Sequence, residues 1–406
     1  MKSIATYLLG YLVAHILLIS IVQSIFCQDL RMLELGLIVL VFGVAVVNSK
    51  KIILEKSDII IVFVLAFLNI YYTFIELRGL IFFKMTYVLL LAILLSKVIL
   101  PNISLKSYLG KIDTIYFIVL IGLVIEYLIL LFFGDQILAD LFMCHGEETG
   151  VRGYIPQSNI TRELLPNNIT PIGRLNSILL GSQTASQLSV IIFVWCLYKF
   201  KASDKKKHLA LGLLAIFMLI LSPSFTSIIL LFISIVMIYL LNLSNNFKEK
   251  IKNFYKMYLV LFVIVLLIYL LARLFTYKYF GLNYIYDEYI LKNLIGFQYF
   301  NLKEILFGIS LEREAELFTV GEISYLKQLT MYGFVGTGVF YISIFYYMLR
   351  ALRYRHITAL VPNMMVLAIF VLGNIHYPVM FNMGAMVLFV LHLAYIIYQG
   401  SDIKNN

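Results

Sequence analysis

The chain has 406 residues, of which 62% are hydrophobic and only 13% are charged. Soluble globular domains carry about 25% charged residues, so this composition excludes a soluble globular protein and indicates an integral membrane protein. The formal net charge of +10 does not indicate a nucleic-acid partner, because the Lys and Arg clusters lie between apolar segments, where they fix topology.

Apolar segments recur along the whole chain, and about twelve of them can span a hydrocarbon core about 30 Å thick. The sequence therefore predicts an all-α polytopic membrane protein that forms a single integral membrane domain, 1–406. The predicted spans cover residues 4–26, 32–48, 58–75, 80–100, 113–133, 186–200, 209–222, 224–242, 256–275, 328–349, 358–376 and 379–398. Spans seven and eight meet at "SPSFTS" (222–227), which predicts a tight hairpin.

The basic residues fall mostly on one side of these spans when the N-terminus is placed in the cytoplasm. Twenty of the 32 Lys and Arg residues then lie inside: Lys2, Lys50, Lys51, Lys56, Lys97, Lys106, Lys111, Lys199, Lys201, Lys205, Lys206, Lys207, Lys248, Lys250, Lys252, Lys256, Arg350, Arg353, Arg355 and Lys404. The short outside loops hold little beyond Arg31 and Arg78. The positive-inside rule therefore predicts that both termini are cytoplasmic.

Two outside segments are long, 134–185 and 276–327, and each has about fifty residues, far more than is usual for a loop. Loops of that length in a compact protein are usually functional or disordered, and the Leu, Ile, Tyr and Phe residues throughout these two argue against disorder. Within the second loop, 284–308 has apolar residues near helical spacing. This pattern predicts either a helix at the membrane interface or a plain connecting helix.

The three cysteines carry little information. Cys27 and Cys144 both fall on the predicted outside, where an oxidising compartment would allow a disulfide, and Cys196 lies in a span. Free thiols are the common alternative.

Motifs for phosphate loops, dinucleotide binding, zinc binding and serine hydrolysis do not occur in the sequence. There is also no Asp-x-Asp pair that would hold a divalent metal beside a sugar nucleotide, so neither a metal nor another cofactor is expected. Three acids in "LEREAELF" (311–318) would fan around a helix axis and are interpreted mainly as a solvated face.

The remaining candidates for chemistry are charged groups on the predicted outside. Arginine binds phosphate through bidentate, charge-assisted hydrogen bonds, and glutamate or histidine is a natural proton acceptor. The candidates are Arg152, Arg162 and Arg174 in the first long loop, Arg313 and Glu322 in the second, and His376 in "GNIHYP" (373–378). Together they would suit a substrate with a phosphate-based leaving group; the alternative is that the arginines bind lipid headgroups or local acids.

Four polar side chains fall in or near the predicted spans: His15, Lys84, Glu126 and His392. Ionisable groups inside a membrane are costly and often functional, and a proton-coupled transporter would use such residues. Four separated groups among twelve spans are few for a proton relay, so transport is kept as the alternative function.

The arrangement resembles the Wzy-type O-antigen polymerases, which share a superfamily with the O-antigen ligases. Three patches carry the resemblance: "GRLNSILLGSQTASQL" (173–188), "FGISLEREAELFTVGEISYLKQLTMYGFVGTGVFY" (307–341) and "GNIHYPVMFNMGAMVLFVL" (373–391). The first is similar to the family's Arg-containing span after the first large loop. The second resembles the signature of a glycine, a polar base, Tyr-Leu and a Gly-x-x-Gly helix. The third is similar to the penultimate hairpin.

Two features depart from the family pattern. Ligases have a histidine where this chain has Glu322, followed by Asn where it has Ile323, and a carboxylate is more in keeping with the polymerases. Many relatives also have an Arg in the hairpin before the eighth span, where this chain has Phe225 and Thr226. The departure removes one phosphate contact and raises the importance of Arg174, Arg152 or Arg313.

The resemblance implies a polymerase in the bacterial inner membrane that works at the periplasmic face. The donor would be a growing glycan on undecaprenyl diphosphate, and the acceptor a lipid-linked repeat unit; membrane lipids, a chain-length regulator and a flippase are further candidate partners. Glu322 would be the general base and Arg174 would stabilise the leaving diphosphate with Arg152 or Arg313, while His376 would orient the acceptor or Glu322. A flippase and an O-antigen ligase are the rival functions.

Overall fold

The computed structural model describes residues 43, 54–75, 83–133, 182–203, 206–222, 224–242, 298–309, 324–352, 360–374, 380 and 383–401. Within these ranges the chain is helical and contains no strand. The helices are α1 (Lys56–Ile70), α2 (Phe83–Leu94), α3 (Leu105–Phe133), α4 (Ser182–Ser203), α5 (Lys206–Leu221), α6 (Phe225–Asn242), α7 (Leu302–Phe307), α8 (Ser324–Leu352), α9 (Leu360–Gly373) and α10 (Met383–Gln399). A π-helical turn, Tyr71–Ile75, continues α1, and another, Leu95–Ile99, continues α2 into a 3-10 turn at Leu100–Asn102.

Four helical stretches in the described part of the chain are long and apolar enough to cross a membrane: Lys56–Phe74, Met85–Asn102, Leu105–Phe133 and Lys327–Leu352. Four shorter apolar helices accompany them: Thr184–Phe200, Thr226–Val236, Leu360–Gly373 and Ala385–Gln399. The chain therefore has the architecture of a helical membrane protein. The count of twelve spans and the two long loops stay predictions, since spans 4–26 and 256–275, nearly all of span 32–48 and of the first loop, and most of the second loop lie outside the described residues.

The helical core is formed by the last two helices. Residues 385–397 of α10 and 362–370 of α9 are buried almost without exception. Burial this complete requires neighbouring helices on every side of α9 and α10. Accordingly α10 packs against α2, α8 and α9, and α9 packs also against α4 and α6.

The outer helices α1 and α3 leave large apolar side chains uncovered. Phe63 on α1 and Phe74 in the π-helical turn that continues it are 72% and 74% exposed, and Phe132 on α3 is 74% exposed. In water such surfaces would be costly, but in a bilayer they face hydrocarbon of similar polarity. Such exposure of large apolar side chains is what a helix that faces lipid would show.

The predicted hairpin between α5 and α6 has a short connection, residues 222–224. The Ser224 hydroxyl accepts the backbone N–H of Ser227 at 3.1 Å and so caps the start of α6. The main neighbours of the two helices differ: α5 packs against α3 and α4, whereas α6 packs against α4 and α9. The turn thus directs α6 toward the core.

Candidate active site at the polar end of the bundle

Helix α8 is broken at Gly333, inside the glycine-rich stretch that follows Glu322 in sequence. Gly333 has φ 60° and ψ −173°, so the helix divides into a nine-residue segment, 324–332, and a long segment that ends at Leu352. A break of this kind leaves carbonyl groups without their partners along the helix, which is costly in a membrane unless other groups supply hydrogen bonds.

Three carbonyl groups before the break accept hydrogen bonds that are not part of the regular helical pattern. The Thr330 oxygen accepts from the backbone N–H of Ile309 at 2.8 Å. The Tyr332 oxygen accepts from the Tyr72 hydroxyl at 2.5 Å. The Gln328 oxygen accepts from the Thr337 hydroxyl at 3.0 Å. The break is therefore built into the fold and holds α1 and the segment 302–309 against α8.

The short helix α7 packs directly on the break. It begins with a capping box in which Asn301 and Glu304 exchange side-chain and backbone hydrogen bonds, and it ends at Gly308, which has φ 81°. A Cβ at Gly333 would overlap the backbone of Leu306 and Phe307, and one at Gly308 would overlap that of Met331. Gly333 thus permits the close approach of α7 to α8, through a positive φ. The described part of the predicted helix 284–308 contains only this six-residue helix; its location at a membrane interface stays a prediction.

Substituting Gly333 tests the break. Gly333→Ala should lower the free energy of unfolding by at least about 1–3 kcal/mol, because a side chain is strained at positive φ and also meets backbone atoms. Denaturant titration in mixed micelles measures the change. Gly338→Ala is the matched control, since this helical glycine has no neighbour closer than Ile342 Cδ1 at 4.0 Å. Equal stability of the two variants would contradict the prediction.

A chain of polar side chains joins α8 to the end of α9. The Asn374 amide Nδ2 donates to the Tyr341 hydroxyl at 2.9 Å, and that hydroxyl donates to Gln328 Oε1 at 2.7 Å. Asn374 and Gln328 are 0% and 5% exposed. Nearby, the Tyr325 hydroxyl donates to the carbonyl oxygen of Val371. We call these residues, Tyr325, Gln328, Tyr341 and Asn374, the amide–tyrosine cluster.

The start of α4 reaches the same place. Thr184, Ser186 and Gln187 are all buried there. The Gln187 side chain lies against Gly373, the last residue of α9, where a Cβ would overlap its Oε1 atom. Helices α4, α8 and α9 therefore bring neutral polar side chains together at one end of the bundle, which we call the polar end.

None of the six predicted site residues lies within the described residues: Glu322, Arg174, His376, Arg152, Arg313 and Arg162. Their roles stay predictions. Three have sequence neighbours at the polar end, however. Tyr325 follows Glu322 by three residues, Asn374 precedes His376 by two, and Thr184 follows Arg174 by ten.

Gln328, Tyr341 and Asn374 were missed as site candidates because only charged residues were selected. A signal was present, since an amide inside an apolar helix needs a hydrogen-bond partner from another helix.

The opposite end of α8 carries a charged network. Lys97, in the π-helical turn after α2, lies 3.0 Å from Asp58 Oδ2 and 3.4 Å from Glu55 Oε1. Arg350 forms an ion pair with Glu55, and the Tyr347 hydroxyl donates to Asp58 Oδ1 at 2.9 Å. The Lys97 and Asp58 side chains are 1% and 0% exposed. Two positive and two negative charges thus balance, and they join α1, α2 and α8 at the end that the positive-inside rule predicts to be cytoplasmic.

Between the two ends, His392 lies in a buried hydrogen-bond network. Its Nδ1 atom is 2.7 Å from Asn363 Oδ1, and its Nε2 atom is 2.6 Å from the Tyr116 hydroxyl. Asn363 Oδ1 can only accept, so Nδ1 carries a proton; neutral imidazole then accepts from Tyr116 at Nε2. Trp195 packs edge-on against the His392 ring and donates to Asp113, which faces Lys199 at 3.9 Å. The indole of Trp195 has no acceptor nitrogen, so Trp195 cannot relay a proton between Asp113 and His392.

Of the other three polar residues that a transporter could use, only one has a described side chain. Glu126 is buried on α3. Lys84 lies in α2, but its side chain is not among the described parts of the structure. His15 lies entirely outside the described residues. Cys196 is a buried free thiol, while Cys27 and Cys144 also fall outside the described ranges.

Tyr116→Phe should lower the free energy of unfolding by about 0.6–1.7 kcal/mol, the range for interhelical hydrogen bonds in membrane proteins. The change leaves His392 Nε2 without its donor but keeps the ring in the core. Tyr127→Phe is the control, because this residue on the same helix contacts Phe217 edge-on through its ring. The prediction fails if denaturant titration in mixed micelles gives the same stability for both.

Comparison of the chain with protein-family models, with curated proteins and with solved structures gave no match. Any family assignment therefore depends on the three sequence patches and on where the described residues place them.

Proposed function

We propose that the chain is a polysaccharide (O-antigen) polymerase of the Wzy type. It would transfer a growing glycan from undecaprenyl diphosphate to a lipid-linked repeat unit at the periplasmic face of the bacterial inner membrane. The transfer would use no metal and would invert the anomeric centre.

One observation supports this proposal most strongly. The three patches that resemble the family lie far apart in sequence, yet described residues from each of them meet at the polar end. Gln187 comes from the first patch, Gln328 and Tyr341 from the second, and Gly373 and Asn374 from the third. A shared site requires such convergence, whereas chance resemblance of three separate segments does not.

The proposed reaction is a single displacement. The acceptor hydroxyl oxygen forms a bond to the anomeric carbon of the donor, and the bond from that carbon to the diphosphate oxygen breaks. Glu322 takes the hydroxyl proton, and undecaprenyl diphosphate leaves with the bonding electron pair. Arg174, with Arg152 or Arg313, would stabilise the charge that develops on the diphosphate; Arg162 would add a further contact. His376 would orient the acceptor or Glu322.

The fold suits substrates that carry a polyprenyl chain. The exposed apolar side chains of α1 and α3 face lipid, so a lipid-linked substrate can stay in the bilayer while its sugars reach the polar end. The polar end is also opposite the charged network of Lys97 and Arg350 along α8. This arrangement agrees with a site on the non-cytoplasmic side if the basic residues mark the cytoplasm.

The experiment is a lipopolysaccharide ladder gel from a deletion strain, with the wild-type chain returned on a plasmid as control. A polymerase defect leaves lipid A–core with one repeat unit and no ladder. Bare core without the single-repeat band would overturn the proposal in favour of a ligase or a flippase, and an unchanged ladder would overturn it altogether.

A further inference from the structure

We infer that helices α3 and α5 together form a binding site for an anionic phospholipid, with its phosphate at the basic start of α5 and its acyl chains along the two helices. The site is separate from the polar end and does not depend on the proposed reaction. Its parts are three lysines, Lys199, Lys206 and Lys207, and the exposed apolar side chains of α3 and α5.

Each of the two helices carries one exposed apolar stripe. The stripes are Phe117, Ile121, Ile125 and Leu128 on α3, and Leu209, Leu213, Phe217 and Ile220 on α5. Both sets have spacings of four, four and three residues, which keep their members on one face of a helix. Other faces of the two helices hold buried residues such as Ile115 and Met218, so each stripe is the side turned away from the bundle.

Contacts near both ends of α5 show that α3 and α5 run in the same direction. Near the starts, the ammonium group of Lys199, at the end of α4, lies 3.9 Å from the Asp113 carboxylate on α3 and close enough to Lys207 on α5 for the two cations to repel each other. Farther along, the rings of Phe217 and Tyr127 meet edge-on. Because Phe217 belongs to the α5 stripe, the two stripes lie on adjoining helices, and the α5 stripe begins beside these charges.

The length of the α5 stripe matches the depth of one leaflet. Lys206 and Phe217 are separated by about 16 Å along the axis of this helix, at 1.5 Å per residue. Half of a hydrocarbon core about 30 Å thick is about 15 Å, which is the depth that the acyl chains of one leaflet fill. A phosphate bound at Lys206 therefore leaves its acyl chains beside Leu209, Leu213 and Phe217.

The charges at the start of α5 are unbalanced. Lys199, Lys206 and Lys207 bring three positive charges against the single negative charge of Asp113. Within the described part of the chain, neither Lys206 nor Lys207 has a carboxylate partner, and both are exposed. Lys206 precedes Leu209 by three residues and so lies on the same face as the stripe. A phosphodiester with acyl chains satisfies both features, because lysine binds phosphate as a point charge and the stripe adjoins it.

Lys206→Gln combined with Lys207→Gln is the variant that tests the site. It should weaken the binding of an anionic phospholipid about 10- to 30-fold, since one lysine beside an anionic head group changes the affinity about fivefold. The probes are phosphatidylglycerol and phosphatidylcholine with identical acyl chains, titrated onto the purified chain in detergent micelles. Native mass spectrometry counts the bound lipids, and the wild-type chain should retain phosphatidylglycerol in preference to phosphatidylcholine.

The matched control is Lys56→Gln combined with Lys106→Gln, which removes two exposed charges near the starts of α1 and α3. The net charge changes by the same amount but the start of α5 stays intact, so the affinity for phosphatidylglycerol should stay within about twofold of the wild-type value. Equal losses in the two double variants would overturn the inference, because the lipid would then be attracted to basic surfaces in general.

Inorganic phosphate separates the lipid from its head group alone. At about a hundredfold molar excess it should displace little phosphatidylglycerol, because the acyl chains add affinity along the stripes. Complete displacement would overturn the lipid as occupant, and an unchanged preference for phosphatidylglycerol in Lys206→Gln/Lys207→Gln would overturn the site. Equal Tm values for this variant and the wild-type chain in phosphatidylcholine, expected for exposed substitutions, show that the fold is kept.

Discussion

The Glu322→Gln variant is expected to lose chain extension while its folded yield stays at the wild-type level. On the proposed mechanism the carboxylate takes the proton of the acceptor hydroxyl, and an amide of the same size cannot. Removing a general base typically costs about 10²–10⁴-fold in rate, which would erase the ladder and leave lipid A–core with a single repeat unit. Ladder gels and the initial rate of repeat-unit consumption in isolated membranes both measure the loss.

The matched control is Glu304→Gln, which removes another acid from the same predicted loop. Glu304 closes the capping box of α7, and glutamine serves equally well at that position, so this variant should keep both fold and activity. A Glu322→Gln variant as active as Glu304→Gln would exclude Glu322 as the base. Loss of activity in both would point instead to the second loop as a whole.

The Lys97→Met variant is expected to have the largest effect on stability. Lys97 lies 3.0 Å from the fully buried Asp58 and 3.4 Å from Glu55, with 1% of its side chain exposed. Without Lys97, the network would hold two negative carboxylates and only one positive group, Arg350. One buried negative charge would then have no countercharge. Breaking a buried ion pair by removing one partner costs about 3–5 kcal/mol, so the free energy of unfolding in mixed micelles should fall by about that amount.

Two further variants establish that charge balance is the cause. Lys106→Met removes the same charge from an exposed position on α3 and should leave stability nearly unchanged. Lys97→Met combined with Asp58→Asn restores neutrality and keeps an acceptor oxygen for Tyr347, so it should recover much of the loss. If the double variant were less stable than Lys97→Met, the network would act through its individual hydrogen bonds and not through charge balance.

Within the described residues, the positions of the helices were predicted well from the sequence. Spans 58–75, 224–242 and 379–398 correspond closely to helices in the structure, because burying unpaired backbone groups in hydrocarbon forces an apolar segment into a helix. The ends were less well predicted. Span 113–133 is the end of a helix that begins at Leu105, since exposed Lys106 and Lys111 interrupt the apolar pattern but not the helix.

The site could be predicted only as a set of charged residues on the predicted outside, and those six residues lie outside the described part of the chain. What the structure adds is the neutral cluster of Gln328, Tyr341 and Asn374. These residues are separated by up to 46 positions, so no local pattern indicates that they share hydrogen bonds.

The sequence by itself determined that the chain is a helical membrane protein and where its apolar helices run, because the free energy of transferring each side chain and peptide group into hydrocarbon depends mainly on local composition. Only the tertiary structure decided that α8 breaks at Gly333 and that α9 and α10 form the core. It also decided that the Lys97 side chain lies in a network whose positive and negative charges balance. Each of these depends on partners distant in sequence: Tyr72 and Ile309 for the break, Asp58 and Glu55 for Lys97. A buried polar group is stable only where such a partner is supplied, and that is a property of packing and not of local sequence.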